Sequence, residues 1–159
     1  MTEDARFAEG DEAPLNLVAV DAEGLAIIAA LAQDAVLTVG DLLWSPRRRR
    51  IDLVLSRFRW EDAEHAARAR RPVERVRSLL TVEDVRHVAT QGIDLAERDT
   101  VISLLDISWT PGEDGTGRLT LILAGDGAVA ADVECIGVGL RDISRPYAAA
   151  SGRAPRHPD

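Results

Sequence analysis

Residues 135–143 read Cys135-Ile136-Gly137-Val138-Gly139-Leu140-Arg141-Asp142-Ile143, and the fold of this stretch decides the architecture. Ile136, Leu140 and Ile143 recur at spacings of four and three, which predicts a C-terminal helix. Gly137 and Gly139 oppose it, each by about 1 kcal/mol relative to Ala. Upstream the period is two. Leu119–Ala124 and Ala128–Val133 read as strands joined across Gly125-Asp126-Gly127. Val101–Thr110 precedes them, connected by the glycine-rich loop Pro111–Gly117. Arg75–Val82 and Val85–Ile93 read as two strands, or one bent at Glu83-Asp84. Ile51–Trp60 places Ile51, Leu53 and Leu55 on one face and Asp52, Val54, Ser56, Phe58 and Trp60 on the other. It forms a hairpin with Val36–Trp44, turning at Ser45-Pro46 and the basic run Arg47–Arg50. Glu61–Arg71, apolar mainly through Ala, is expected as a solvated loop or short helix. At the N-terminal end, Leu15–Val20 reads as a short strand. Asp21 caps a helix over Ala22–Gln33, in which Leu25, Ile28 and Ala32 recur at helical spacing.

About seven mostly antiparallel strands, an N-terminal βα element and a closing helix define an α+β domain. Over Val36–Tyr147 this order of elements resembles the pleckstrin-homology-like barrel, with a strongly bent sheet as the other form it can take. The single domain spans 15–147. An acidic arm over 1–14 and a tail over 148–159, rich in Ala, Pro and Arg, are expected to be disordered.

Composition narrows the function classes. The chain has 159 residues, 46% of them hydrophobic, enough for one domain with a substantial core. No charge-free run exceeds Gly24–Gln33, so no membrane span is expected. No charged-then-apolar leader opens the chain, so a signal peptide is not expected either. Cys135 is the only cysteine, which excludes an internal disulfide and a cysteine-based zinc site. There is no Lys, hence no Schiff-base or P-loop lysine. Every cation other than histidine is an arginine, always charged and suited to bidentate contact with carboxylate or phosphate. The formal charge of -8 is uneven: residues 45–86 carry twelve Arg against seven acids, and the remainder seven against twenty. A net acidic chain is a poor nucleic-acid partner.

Candidate sites are few. Arg47, Arg48, Arg49 and Arg50 repel one another unless an anion or acidic partner is near; Arg70, Arg71 and Arg75 are placed as possible flanks. The plainer alternative is a solvated turn that blunts a sheet edge. In pleckstrin-homology-like barrels the loop between the first two strands often binds acidic headgroups, and that resemblance would put Arg47–Arg50 there. His87 with Glu83 supplies at most two metal ligands, too few for a site. Cys135 could be a nucleophile only with a depressed pKa. No catalytic residue, metal ligand or cofactor site is assigned. Arg57-Phe58-Arg59-Trp60 interleaves cations and rings as single-strand nucleic-acid readers do, but on an acidic chain with six aromatic residues this carries little weight.

A wider resemblance rests on Leu15-x-Leu-x-Ala-x-Asp21, Gln33-Asp-Ala-Val36, Val39-Gly-Asp41, Arg57-Phe-x-Trp-Glu61, Gly92-Ile-Asp94, Leu104-Leu105 and Val133-Glu-Cys-Ile136. Together, over about Leu15–Tyr147, these are similar to the alphaproteobacterial family of unknown function numbered 2948. The resemblance implies a small cytoplasmic protein and carries no functional residues with it. The expected function is a non-catalytic binding module contacting a protein partner or a second copy. The alternative is a small anion-ligand-binding protein or enzyme using Arg47–Arg50 with His87 or Cys135.

Overall fold

The computed structural model describes residues 13–148 and contains eleven strands in one sheet. These are β1 (Asn16–Ala19), β2 (Ala35–Thr38), β3 (Leu42–Ser45), β4 (Arg50–Phe58), β5 (Glu74–Val82), β6 (Val85–Gln91), β7 (Val101–Pro111), β8 (Gly117–Leu123), β9 (Ala128–Val133), β10 (Val138–Asp142) and β11 (Tyr147–Ala148). Helix α1 is Ala22–Leu31 and α2 is Ala63–Arg68. The expected acidic arm and tail fall, except for Ala13, Pro14 and Ala148, outside the described residues.

The C-terminal stretch is not a helix. Val138–Asp142 is strand β10, set between β1 and β5. Its buried side chains, Val138 and Leu140, alternate with Gly139 and Arg141. That two-residue period outweighs the helical spacing of Ile136, Leu140 and Ile143, and Gly137 and Gly139 weaken any helix there. Seven strands is also an undercount. Val36–Trp44 breaks into β2 and β3 at a short 3-10 turn over Val39–Asp41, where Asp41 accepts from the Thr38 backbone N–H (3.1 Å) and hydroxyl (2.9 Å). β2 sits between β4 and β7, meeting β4 at Val36–Ser56 and β7 along its length, while β3 pairs with β4 further along.

Nor does the sheet close as a barrel. Its order is β1-β10-β5-β4-β2-β7-β8-β9-β6, and β1 and β6, at the two ends, are not partners. One long ribbon links the halves. β10 pairs with β5 up to Val138–Val82, and β9 pairs with β6 from Val133–Val85. The intervening corner has Asp84 at φ 58°, with Glu83 N–H donating to Gly137 O (2.8 Å) and Glu134 N–H to Asp84 O (3.0 Å).

The inner faces of the two halves share one core. Ile51, Leu53 and Leu55 of β4 are fully buried, as their alternation predicts, beside Leu80 and Leu140. Leu119, Leu121, Leu123, Val129 and Val133 come from the other half. Asp21 caps α1, accepting from Gly24 N–H at 2.7 Å, and Leu25, Ile28 and Ala29 turn into this core. Burying one such Leu contributes about 1.5–3 kcal/mol. Gly117 lies directly beneath the Trp109 indole, where a Cβ has no room.

Candidate functional site

The basic turn projects from the β3–β4 hairpin. Arg47, Arg48 and Arg49 are exposed, and Arg49 adopts φ 55°. Arg49 pairs with Glu134, which also meets Arg86 at 3.4 Å; Arg50 pairs with Asp52 at 3.1 Å. Among the described residues, Arg47 and Arg48 have no acidic partner. The possible flanks lie elsewhere. Arg75 sits opposite Phe58, at the far end of β4 from Arg50, about 26 Å away along the strand. Its guanidinium stacks 4.0 Å over the Phe58 ring and donates to Ser56 O at 2.8 Å. Arg71 pairs with Asp62 at 2.6 Å, and Arg70 is exposed beyond α2. The seven arginines therefore form two separate groups.

His87 and Cys135 do lie near the basic turn, because Val85 N–H donates to Arg49 O (2.8 Å) at the corner. Neither is primed for catalysis. His87 is well exposed and sits 3.7 Å from Asp132, which Arg118 also holds at 2.8 Å. Asp132 is kept below the usual carboxylate range, chiefly by its hydrogen bond from Arg118. The Cys135 thiol donates to Asp84 at 3.4 Å, and that bond, with partial desolvation and the charges of Asp84 and Glu134, pushes its pKa up. A nucleophilic cysteine needs the opposite shift. Among the described residues no three His, Cys, Asp or Glu side chains converge as a metal site, and no helix is long and apolar enough to cross a membrane.

Arg57-Phe58-Arg59-Trp60 is structural. Arg57 is fully buried, bidentate to Glu61 (2.8 and 2.8 Å), 2.9 Å from both Ser78 Oγ and Asp142 Oδ1. Burial alone would lower its pKa; the bonds and charges of Glu61 and Asp142 outweigh that and raise it. Arg59 is buried too, against Asp62 and Glu74. Phe58 is buried, and the Trp60 indole N–H donates to Gln33 O at 2.9 Å. Nothing here is open to a nucleic-acid base. All three tryptophans are at least half-buried.

A further surface was not singled out from the sequence. β1 ends the sheet, and its other side has no strand partner among the described residues. Asp142 N–H donates to Leu15 O at 2.8 Å, and the Leu15 N–H goes to the Asp142 carboxylate at 2.9 Å. In an antiparallel ladder hydrogen-bonded pairs alternate, so Leu17 and Ala19 face β10 with their amides while those of Asn16 and Val18 face outward. The Val18 and Val20 side chains are each 74% exposed. Behind this edge, the outer face of the sheet carries the row Val18–Gly139–Thr81–Asp52–Leu43 across five strands. Gly139 leaves a gap in that row, part of a shallow cleft of about 470 Å³. The sequence signal was present: Leu15–Val20 has no charge, and Asn16 is its one polar residue. What sequence alone lacks is the knowledge that this strand sits at the end of the sheet.

The model of a family described as protein of unknown function, DUF2948, matches residues 15–157. No curated protein and no solved structure matches the chain.

Proposed function

The chain belongs to this family of proteins of unknown function, DUF2948, and we propose that it is a non-catalytic protein-interaction module whose β1 edge takes an extended partner segment as an added strand. The observation that carries this reading is the bareness of the edge: no charge between Leu15 and Val20, two valines at 74% exposure, and outward backbone groups at Asn16 and Val18. Natural edge strands are ordinarily blunted by shortness, charge, proline, bulges or cover; β1 is short, at four residues, but has no charge, proline or strand cover among the described residues, and such an edge is a template for another strand. In strand addition the main chain supplies affinity and alternate side chains supply selectivity. A cytoplasmic setting belongs to the same proposal; a lone cysteine suits a reducing compartment.

Val18→Pro tests the reading. Its N–H takes no part in the β10 ladder, so proline removes an outward donor while leaving that ladder in place. Peptides selected on the wild-type chain should bind the variant about tenfold more weakly or worse. Thermal stability should stay close to wild type. Peptide affinity unchanged in a folded variant refutes strand addition at β1.

A second reading keeps the anion site at the basic turn, favoured by Arg47 and Arg48, which are exposed and have no acidic partner among the described residues. Replacing Arg47–Arg50 with Ser should then abolish binding to anionic vesicles at low salt; no binding by the parent ends that reading. Catalysis by Cys135 or His87 has less support, since the Asp84 bond works against a thiolate and His87 stands on an open strand.

A further inference from the structure

Resting on the strand-addition reading, we infer the chemistry of the partner: a protein segment carrying an acidic residue two positions from a large apolar one. On the outer face, Asn16 of β1 lies beside Arg141 of β10, and Arg141 beside Leu79 of β5. Arg77 is the next outward residue along β5. Arg77 and Arg141 are both exposed, and among the described residues neither has a carboxylate partner. On a chain of net charge -8, this end of the face is locally basic among the described residues. One step along β1, beside Val18, the neighbouring β10 position is Gly139, which offers a gap instead of a side chain.

An added strand repeats the two-residue alternation of the sheet. Its outward residue next to Asn16 therefore comes within reach of Arg141 across that asparagine, and its outward residue next to Val18 meets the valine and the gap over Gly139. A carboxylate fits the first position and a bulky apolar group the second. Guanidinium–carboxylate contacts favour Asp or Glu over other acceptors. A second copy of this chain fits less well, since its β1 offers no acid between Leu15 and Val20.

The test pans a random phage-displayed peptide library on the full chain, then measures synthetic peptides of the selected consensus by fluorescence anisotropy. The expected consensus has Asp or Glu two positions from Leu, Met or an aromatic residue. Arg141→Gln should weaken the acidic peptide about three- to fivefold, less at high salt, and leave its Glu→Gln counterpart unchanged. Gly139→Val fills the gap; its Cβ meets nothing nearer than Leu17 O at 3.7 Å. It should weaken peptides with the bulky residue more than peptides with Ala in its place. Peptides that Val18→Pro weakens but that show no acidic preference would overturn this inference and leave strand addition standing. Selected peptides indifferent to Val18→Pro, or none at all, would overturn both. Sedimentation showing a wild-type dimer that Val18→Pro dissociates would make a second copy the occupant and overturn the acidic-partner inference.

Discussion

The two ends of the sheet are built on opposite plans. At one end, β6 is guarded: Arg86 and His87 are exposed on it, and Asp132 of β9, Arg118 of β8 and Glu134 just past β9 answer them in a surface network. At the other end, β1 has no charge at all, yet its attachment to the fold is the better protected of the two. Leu15 is tied to Asp142, and Asp142, 5% exposed, is tied to the fully buried Arg57. Surface pairs hold little energy, whereas breaking a buried pair strands a charge. An edge can thus be firmly held from within while, among the described residues, no strand covers it outside, and it is there that we place the partner strand.

Removing the internal tie should give the largest effect. Asp142→Ala leaves Arg57 short of one partner and frees the Leu15 N–H, so urea unfolding should show a loss of about 3–5 kcal/mol. Peptide binding should fall with it, because β1 loses its anchor. A loss under 1 kcal/mol would mean that the two edges are held alike. Next, Val18→Lys gives β1 the kind of guard that β6 has. Stability should change by no more than about 0.5 kcal/mol, as for other exposed sites, while peptide binding is lost. Conversely, Arg86→Thr with His87→Thr strips β6, and light scattering should then show more self-association than the wild type does. The smallest effect belongs to Asp132→Asn. Asp132 titrates below its ordinary value in the folded chain, mainly through the Arg118 hydrogen bond. Its contribution is therefore present above the unfolded value near 4 and is lost as pH falls through the lower folded value. The pair is exposed, so the cost at neutral pH should stay below about 1 kcal/mol and shrink below pH 4.

Much of the fold was legible where one period dominated. Ile51, Leu53 and Leu55 alternate against polar neighbours, and α1 has both an Asp cap and helical spacing, so these elements stand where expected. Residues 135–143 failed because two periods overlap there: Leu140 belongs both to the helical set and to the alternation with Val138. Only pairing with β5 on one side and β1 on the other decides between them, and that is a tertiary fact. The same holds for the site. A run of four arginines is conspicuous in sequence, but its possible flanks turned out to lie at the opposite end of β4. Arg57 and Arg59 look no different in sequence from Arg47, yet they are buried, because Glu61, Asp62, Glu74 and Asp142 come to meet them. The bare edge is invisible until the strand order is known.

Amide hydrogen exchange along β1, residue by residue, tests strand addition most directly. In the free chain Leu17 and Ala19 should be protected by β10, and Asn16 and Val18 should exchange quickly. With a selected peptide bound, Asn16 and Val18 should become protected while β6 is unchanged. A bound peptide that leaves Asn16 and Val18 exchanging as fast as before, or that protects β6 instead, would contradict it.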